Sequence, residues 1–218
     1  NSGVHFNLKL LKDQSDLLKQ FANEFWREHF YDLPFHLAAF ISKELKSPEE
    51  VLNDLGSNIG NDFSVQLDKP ELLELPLKEF LQKDITKNAE IIEKIKDAWL
   101  ESAVEIRALF DEEVVKKEKS CLNGKTHSSK TILSLVDEVT SWAKNRADIT
   151  LNETLVKKFT QSALDNAIKA DFKKKGVRIT HPAFEEIEAL IEEIQPSDLF
   201  KKIILYHYRQ GIQKKLLE

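Results

Sequence analysis

The densest group of residues able to meet an anion lies between positions 116 and 130. Lys116, Lys117, Lys119, Lys125 and Lys130 stand there against a single acid, Glu118, in a chain of formal net charge −5. Asn123, Gly124, Thr126, Ser128 and Ser129 add amide, hydroxyl and backbone N–H donors, and His127 adds an imidazole. Such groups suit phosphate oxygens, contacts that position a protein on nucleic acid without reading its sequence. The other reading is a mobile, solvated loop. A second basic run, Lys173, Lys174, Lys175 and Arg178, follows later. With the whole chain acidic, any nucleic-acid contact has to come from local patches of this kind.

Other residues invite chemistry and fall short of it. Gly124-Lys125-Thr126 ends like a phosphate-binding P-loop, but that motif needs a glycine five positions before Gly124, after an apolar strand. Position 119 is lysine, and no apolar strand precedes it. Cys121 and His127 form the one close Cys/His pair, where a structural zinc site needs four ligands. None of the six histidines has a glutamate three residues before it, as a carboxylate-bridged di-iron bundle requires. His29, His36 and His207 read as packing or capping residues. Glu185, Glu186, Glu192 and Glu193 read as the solvated face of a helix, not as an acid/base pair. No catalytic residue and no metal site is expected.

Helices must position whatever the chain holds. Six glycines and six prolines in 218 residues leave few breaks, and 41% apolar with 32% charged residues suits amphipathic helices. Leu17, Leu18, Phe21, Ala22, Phe25 and Trp26 make one stripe in a helix over about 15–30. Pro34 opens a second helix through Leu45. Ser47-Pro48-Glu49-Glu50 combines an N-cap serine, a first-turn proline and a capping-box glutamate for a short helix ending at Gly56. Residues 56–70 read as a loop. The longest periodic run, about 86–113, predicts a helix roughly 40 Å long. Residues 114–130 read as a basic loop or arm, followed by a helix carrying Ile132 to Trp142. Thr150-Leu151-Asn152-Glu153 is a second capping box, for a helix through about Ile168. Pro182 opens another helix, and Pro196-Ser197-Asp198 a last one. Val177-Arg178-Ile179-Thr180 is the only candidate strand. Trp26, Trp99 and Trp142 sit on apolar faces and are expected in the core, although an exposed ring would suit base stacking. The fold class is therefore all-α: an irregular multi-helix bundle with one long helix and a basic loop or arm, a single subdomain over 1–218.

One cysteine excludes an internal disulfide framework and fits a reducing compartment. No apolar run reaches the roughly 18 residues of a membrane span. Asn1 to Leu11 lacks the basic start and apolar stretch of a signal peptide. The absence of methionine fits an internal piece of a longer chain, or simple trimming.

Four stretches in order resemble the 1B subdomain of RecB-type helicase–nucleases. They are Phe25-Trp26-Arg27-Glu28-His29-Phe30-Tyr31-Asp32-Leu33-Pro34, then Leu122-Asn123-Gly124-Lys125-Thr126-His127, then Val139-Thr140-Ser141-Trp142-Ala143, then His181-Pro182-Ala183-Phe184-Glu185-Glu186-Ile187. Each alone is weak; the ordered set, spread over nearly the whole chain, is specific. The resemblance implies an insertion in the first motor domain of a superfamily 1 helicase related to UvrD and Rep. It implies a bacterial, cytoplasmic parent that unwinds duplex DNA with ATP and Mg²⁺ and carries a nuclease domain, acting in double-strand break repair and recombination. The parent's phosphate loop, Mg²⁺-binding acids and nuclease carboxylates have no counterparts in this stretch, so it implies no enzymatic activity and no cofactor here. In the family this subdomain meets duplex DNA ahead of the separation point. On that basis Lys116, Lys117, Lys119, Asn123, Lys125, Thr126, His127, Ser128, Ser129 and Lys130 are the expected DNA contacts, with Lys173, Lys174, Lys175 and Arg178 as a secondary patch. His127 departs from the aromatic residue expected of the family there. The competing reading is a helical docking module for the rest of the parent chain and partner subunits of the same complex. Apolar exposure would favour docking and a basic strip would favour DNA.

Overall fold

A computed structural model describes residues 3–55, 70–116, 119–123, 127–128 and 131–217. The architecture is all-α, as expected. The long α-helices are α1 (Gly3–Phe30), α2 (Phe35–Glu44), α3 (Pro48–Leu55), α4 (Leu77–Val115), α5 (Ile132–Lys144), α9 (Pro182–Glu193) and α10 (Ser197–Leu217). Three short ones, α6 (Glu153–Val156), α7 (Gln161–Ala167) and α8 (Ala170–Lys173), lie between α5 and α9. The expected loop over 56–70 lies, apart from Pro70, outside the described residues. The fold separates into two compact units: residues 1–86 with 195–218, and residues 87–194.

The first unit pairs the opening and closing helices. Phe21, Ala22 and Phe25 recur on one face of α1, and the buried Tyr208 ring of α10 stands 5.2 Å from Phe21 and 5.0 Å from Phe25. Gly211 makes room for this seam, since a Cβ there would stand 2.7 Å from Phe21 Cζ. Farther along α10, Phe200 packs between Phe40 of α2 and Phe80 of α4. The helix after Ser47 forms with Pro48 in its first turn. Its Glu50 carboxylate accepts the N–H of Lys46 at 2.8 Å, one residue before the expected capping-box donor. Trp26 is only partly buried, edge-on to Phe30, because it lies at the margin of the α1 stripe and not at its centre.

The second unit is built on the rest of α4. Ile91, Ile95, Trp99, Ile106 and Phe110 point into one core with Val136 and Val139 of α5, Phe159, and Phe184 and Ile187 of α9. Trp99 is fully buried and donates its Nε1–H to Thr140 Oγ1 at 3.0 Å, while Trp142 donates to the Thr150 carbonyl at 3.1 Å. Both are core residues, as expected. Lys96 is buried completely, and its ammonium is satisfied by Glu93 at 3.0 Å and by the carbonyls of Asn145 and Asp148. That arrangement ties α4 to the turn after α5 without leaving a buried charge unpaired.

Two expectations fail locally. Thr150 does not cap a helix; its hydroxyl and N–H both bind Asp148 Oδ1, and the single helix expected to Ile168 is broken into α6, a 3₁₀ turn over 157–159, and α7. Thr160 is the cap, accepting the Ala163 N–H at 3.3 Å, and a capping residue has extended backbone that stops the preceding helix. Residues 177–180 form no strand; no neighbouring extended segment pairs with them among the described residues. The one bridge described joins Leu122 to Ile168.

Candidate nucleic-acid interface

The basic segment begins where α4 ends. Lys116 is exposed and ion-paired to Glu113, and Lys119 is exposed at the following turn, its N–H donated to the Lys116 carbonyl at 2.9 Å. Lys117, Gly124, Lys125, Thr126, Ser129 and Lys130 lie outside the described residues.

Among the described residues of the segment, Ser120, Cys121 and Leu122 form a buried strip. Glu113, itself buried, accepts Ser120 Oγ at 3.0 Å, the Cys121 N–H at 3.1 Å and Cys121 Sγ at 3.3 Å. Burial pushes that carboxyl up, but the hydrogen bonds from Lys116, Cys121 and Ser120 outweigh it and hold Glu113 below its ordinary value. Burial first, and then the Glu113 carboxylate, push the Cys121 thiol up to about 11. Cys121 is therefore an anchor and not a nucleophile.

Leu122 bridges to Ile168, the Asn123 N–H reaches the Ala167 carbonyl at 2.6 Å, and the Lys169 N–H reaches the Cys121 carbonyl at 2.8 Å. Lys169 Nζ adds a bond to the Ser120 carbonyl at 2.7 Å. The root of the first basic segment is thus paired with the residues that lead into the second.

His127 differs from its expected place. Only 3% of it is exposed, so its ring cannot lie open against DNA. It stands edge-on to Phe159, and its Nε2 is 2.8 Å from the Lys158 carbonyl. A carbonyl only accepts, so Nε2 carries the proton and donates. Burial, and secondarily the Lys158 charge, hold the imidazole below its ordinary value despite that bond. Ser128 is partly buried, and its carbonyl accepts the N–H groups of Thr131 and Ile132 at the start of α5.

In the second patch, Lys173, Lys174 and Lys175 are exposed around the turn at Gly176, whose φ of 74° lies in the left-handed region that glycine tolerates. Arg178 is also exposed, but its guanidinium is spent on Asp165 through two bonds of 3.0 and 2.5 Å. The Arg178 bond in turn holds Asp165 below its ordinary value. The patch therefore offers three lysines and not four free cations.

Sequence reasoning passed over one further feature of this unit. An open depression of about 650 Å³ is lined by His127, Glu153, Thr154, Lys157, Lys158, Ala163, Asn166 and Ala167. It exists because the chain breaks between α6 and α7, which capping at Thr160 could have signalled.

No family model matches the chain. Among curated proteins it is similar to RecBCD enzyme subunit RecB of Haemophilus influenzae, 39% identical over 100% of this chain and 19% of that protein. The same subunit of Escherichia coli is 27% identical over 88% of the chain and 15% of its own length. That of Buchnera aphidicola subsp. Schizaphis graminum is 28% identical over 98% of the chain and 16% of its length. The chain thus spans less than a fifth of these relatives, and the similarity fits a fragment of RecB.

Proposed function

We propose that this chain, similar from end to end to a small part of RecB, is a DNA-facing helical subdomain of an ATP-dependent helicase–nuclease and guides duplex DNA ahead of the unwinding point. The observation that carries this reading is the whole-length similarity to RecB. The fold supports it in two ways. The opening and closing helices pack together through Phe21, Phe25 and Tyr208, as a segment inserted in a motor domain requires. The two basic segments are rooted side by side through Leu122 and Ile168.

In this proposal Lys116, Lys117, Lys119, Lys125 and Lys130, with Lys173, Lys174 and Lys175, approach successive phosphates. The buried strip at Ser120–Leu122 gives them a fixed base. The subdomain supplies binding and direction, while ATP and Mg²⁺ act elsewhere in the parent. Each neutralised phosphate contributes a slope of about −0.9 in log K against log salt. Replacing Lys116, Lys117, Lys119 and Lys125 with alanine is expected to flatten that slope by a few units and weaken duplex binding without unfolding the chain, although loss of the Lys116 bond to buried Glu113 lowers the urea midpoint. An unchanged salt slope for this variant in the full helicase–nuclease complex would remove the segment as the contact.

A docking reading has one observation of its own. At the corner between α1 and α2, Tyr31 is 75% and Phe35 89% exposed, two large apolar rings four residues apart. If Tyr31→Ser with Phe35→Ser detaches the chain from its parent assembly while duplex binding persists, that corner is a docking face.

A further inference from the structure

The depression beside His127 holds a cation that the fold leaves unassigned. Lys157, at its rim, is balanced by Glu153 at 2.5 Å. Lys158, the next residue, is half-buried and pairs with no carboxylate among the described residues. The exposed Asn166 amide and Thr154 hydroxyl complete the polar lining, and Ala163 and Ala167 supply apolar wall.

The floor is rigid. His127 donates Nε2–H to the Lys158 carbonyl, which the break in the helix frees from intrahelical bonding. With its proton on Nε2, the imidazole keeps Nδ1 as a buried acceptor, which a donor such as water can meet and an anion cannot.

We infer that this depression seats one phosphodiester of a nucleic-acid backbone, with Lys158 as its cation, Asn166 and Thr154 as donors, and His127 as the residue that positions Lys158. The seat, which rests on the duplex contact proposed above, adds a phosphate site outside both basic runs. A lone cation with an amide and a hydroxyl matches one anionic group that also accepts hydrogen bonds. The alanine methyls give the adjoining sugar an apolar surface. His127 belongs to the basic segment over 116–130, so the seat shares a residue with that segment. His127 is a positioning residue here, which accounts for its burial.

The test measures binding of a fluorescein-labelled duplex to the full chain by anisotropy across a salt series, for wild type, Lys158→Gln and Lys158→Arg. Lys158→Gln is expected to weaken binding several-fold and reduce the slope of log K against log salt by about one unit, the share of a single phosphate. Lys158→Arg restores both. The melting temperature stays unchanged, because the Lys158 ammonium joins no ion pair among the described residues. Wild-type slope and affinity in Lys158→Gln, with the alanine variants of the basic segment still defective, would overturn the seat and leave the duplex contact standing. Absence of salt-dependent duplex binding by wild type in the full complex would remove the proposed function, and the seat with it. A second arm follows the Asn166 side-chain amide signal by NMR during titration with inorganic phosphate against chloride at equal ionic strength. A shift with phosphate that Lys158→Gln abolishes, while duplex binding ignores the substitution, would identify a free-phosphate site and overturn the nucleic-acid assignment.

Discussion

Glu113 shows how a charged residue near a binding segment can serve the fold first. It reads in the sequence as the last acid of a long amphipathic helix, with nothing to mark it as buried. In the structure it gathers Lys116, Ser120 and Cys121 around one carboxylate. Its native pKa is held below the ordinary 4.5, so the anion is preferred in the folded state. A group with a depressed native pKa contributes stability above its unfolded value and loses it as pH falls through the native one. Glu113→Gln is therefore expected to cost roughly 1.5–3 kcal/mol at neutral pH, the range for hydrogen bonds to a charged group. The difference from wild type should shrink steadily below pH 4.5. Urea unfolding of both proteins at neutral pH and near pH 3 checks this; a gap that is constant with pH would mean the carboxylate is not the anchor. His127 teaches the same lesson from the opposite side. Its neighbours in sequence, Lys125 and Ser128, suggest a surface donor, and only the three-dimensional contact with Phe159 reveals an interior one.

At the scale of elements, the break after α6 decides most. Thr160 caps α7, and its hydroxyl also donates to the Lys157 carbonyl at 3.0 Å, so one side chain closes the 3₁₀ turn and opens the next helix. Thr160→Ala should cost about 1 kcal/mol, while Thr160→Ser should cost much less because the hydroxyl is retained. Equal urea midpoints for all three proteins would show that the cap is idle. What was legible before the structure follows from where the signal lies. Periodicity marked α1, α4 and α5 because each buries one continuous stripe, and Pro48 and Pro182 marked the starts of α3 and α9 because a first-turn proline forfeits no hydrogen bond. Thr150 misled because Asp148 lies two residues away and captures its hydroxyl and N–H, a local competition that a capping pattern does not contain. His181 was legible only as part of a resemblance, yet its Nδ1 accepts the Ala183 N–H and it caps α9. The basic segments were visible in composition. Their paired roots were not, since Leu122 and Ile168 are distant in sequence and meet only through folding.

Across the whole molecule, roles divide between the two units. The first and last helices share the unit formed by residues 1–86 and 195–218, whereas both basic segments and the depression at Lys158 belong to residues 87–194. Each unit has its own buried aromatic centre: Phe25, Phe200 and Tyr208 in one, Trp99, Phe110, Phe159 and Phe184 in the other. This division makes stability and binding separable. Removing α10 takes Phe200 from between Phe40 and Phe80 and Tyr208 from against Phe21 and Phe25, which leaves the α1 stripe without its partner. None of the buried residues centred on Trp99 lies in α10. A chain ending at Gln195 is therefore expected to lose hydrogen-exchange protection across α1 and α2 while α5 and α9 stay protected, since local opening follows cooperative units. Under the proposed function, the same truncated chain keeps the salt slope of its duplex binding, because every proposed phosphate contact remains. Loss of protection in α5 and α9 together with α1 would show one cooperative body. Retained protection with a flattened salt slope would show that the closing helix itself meets DNA.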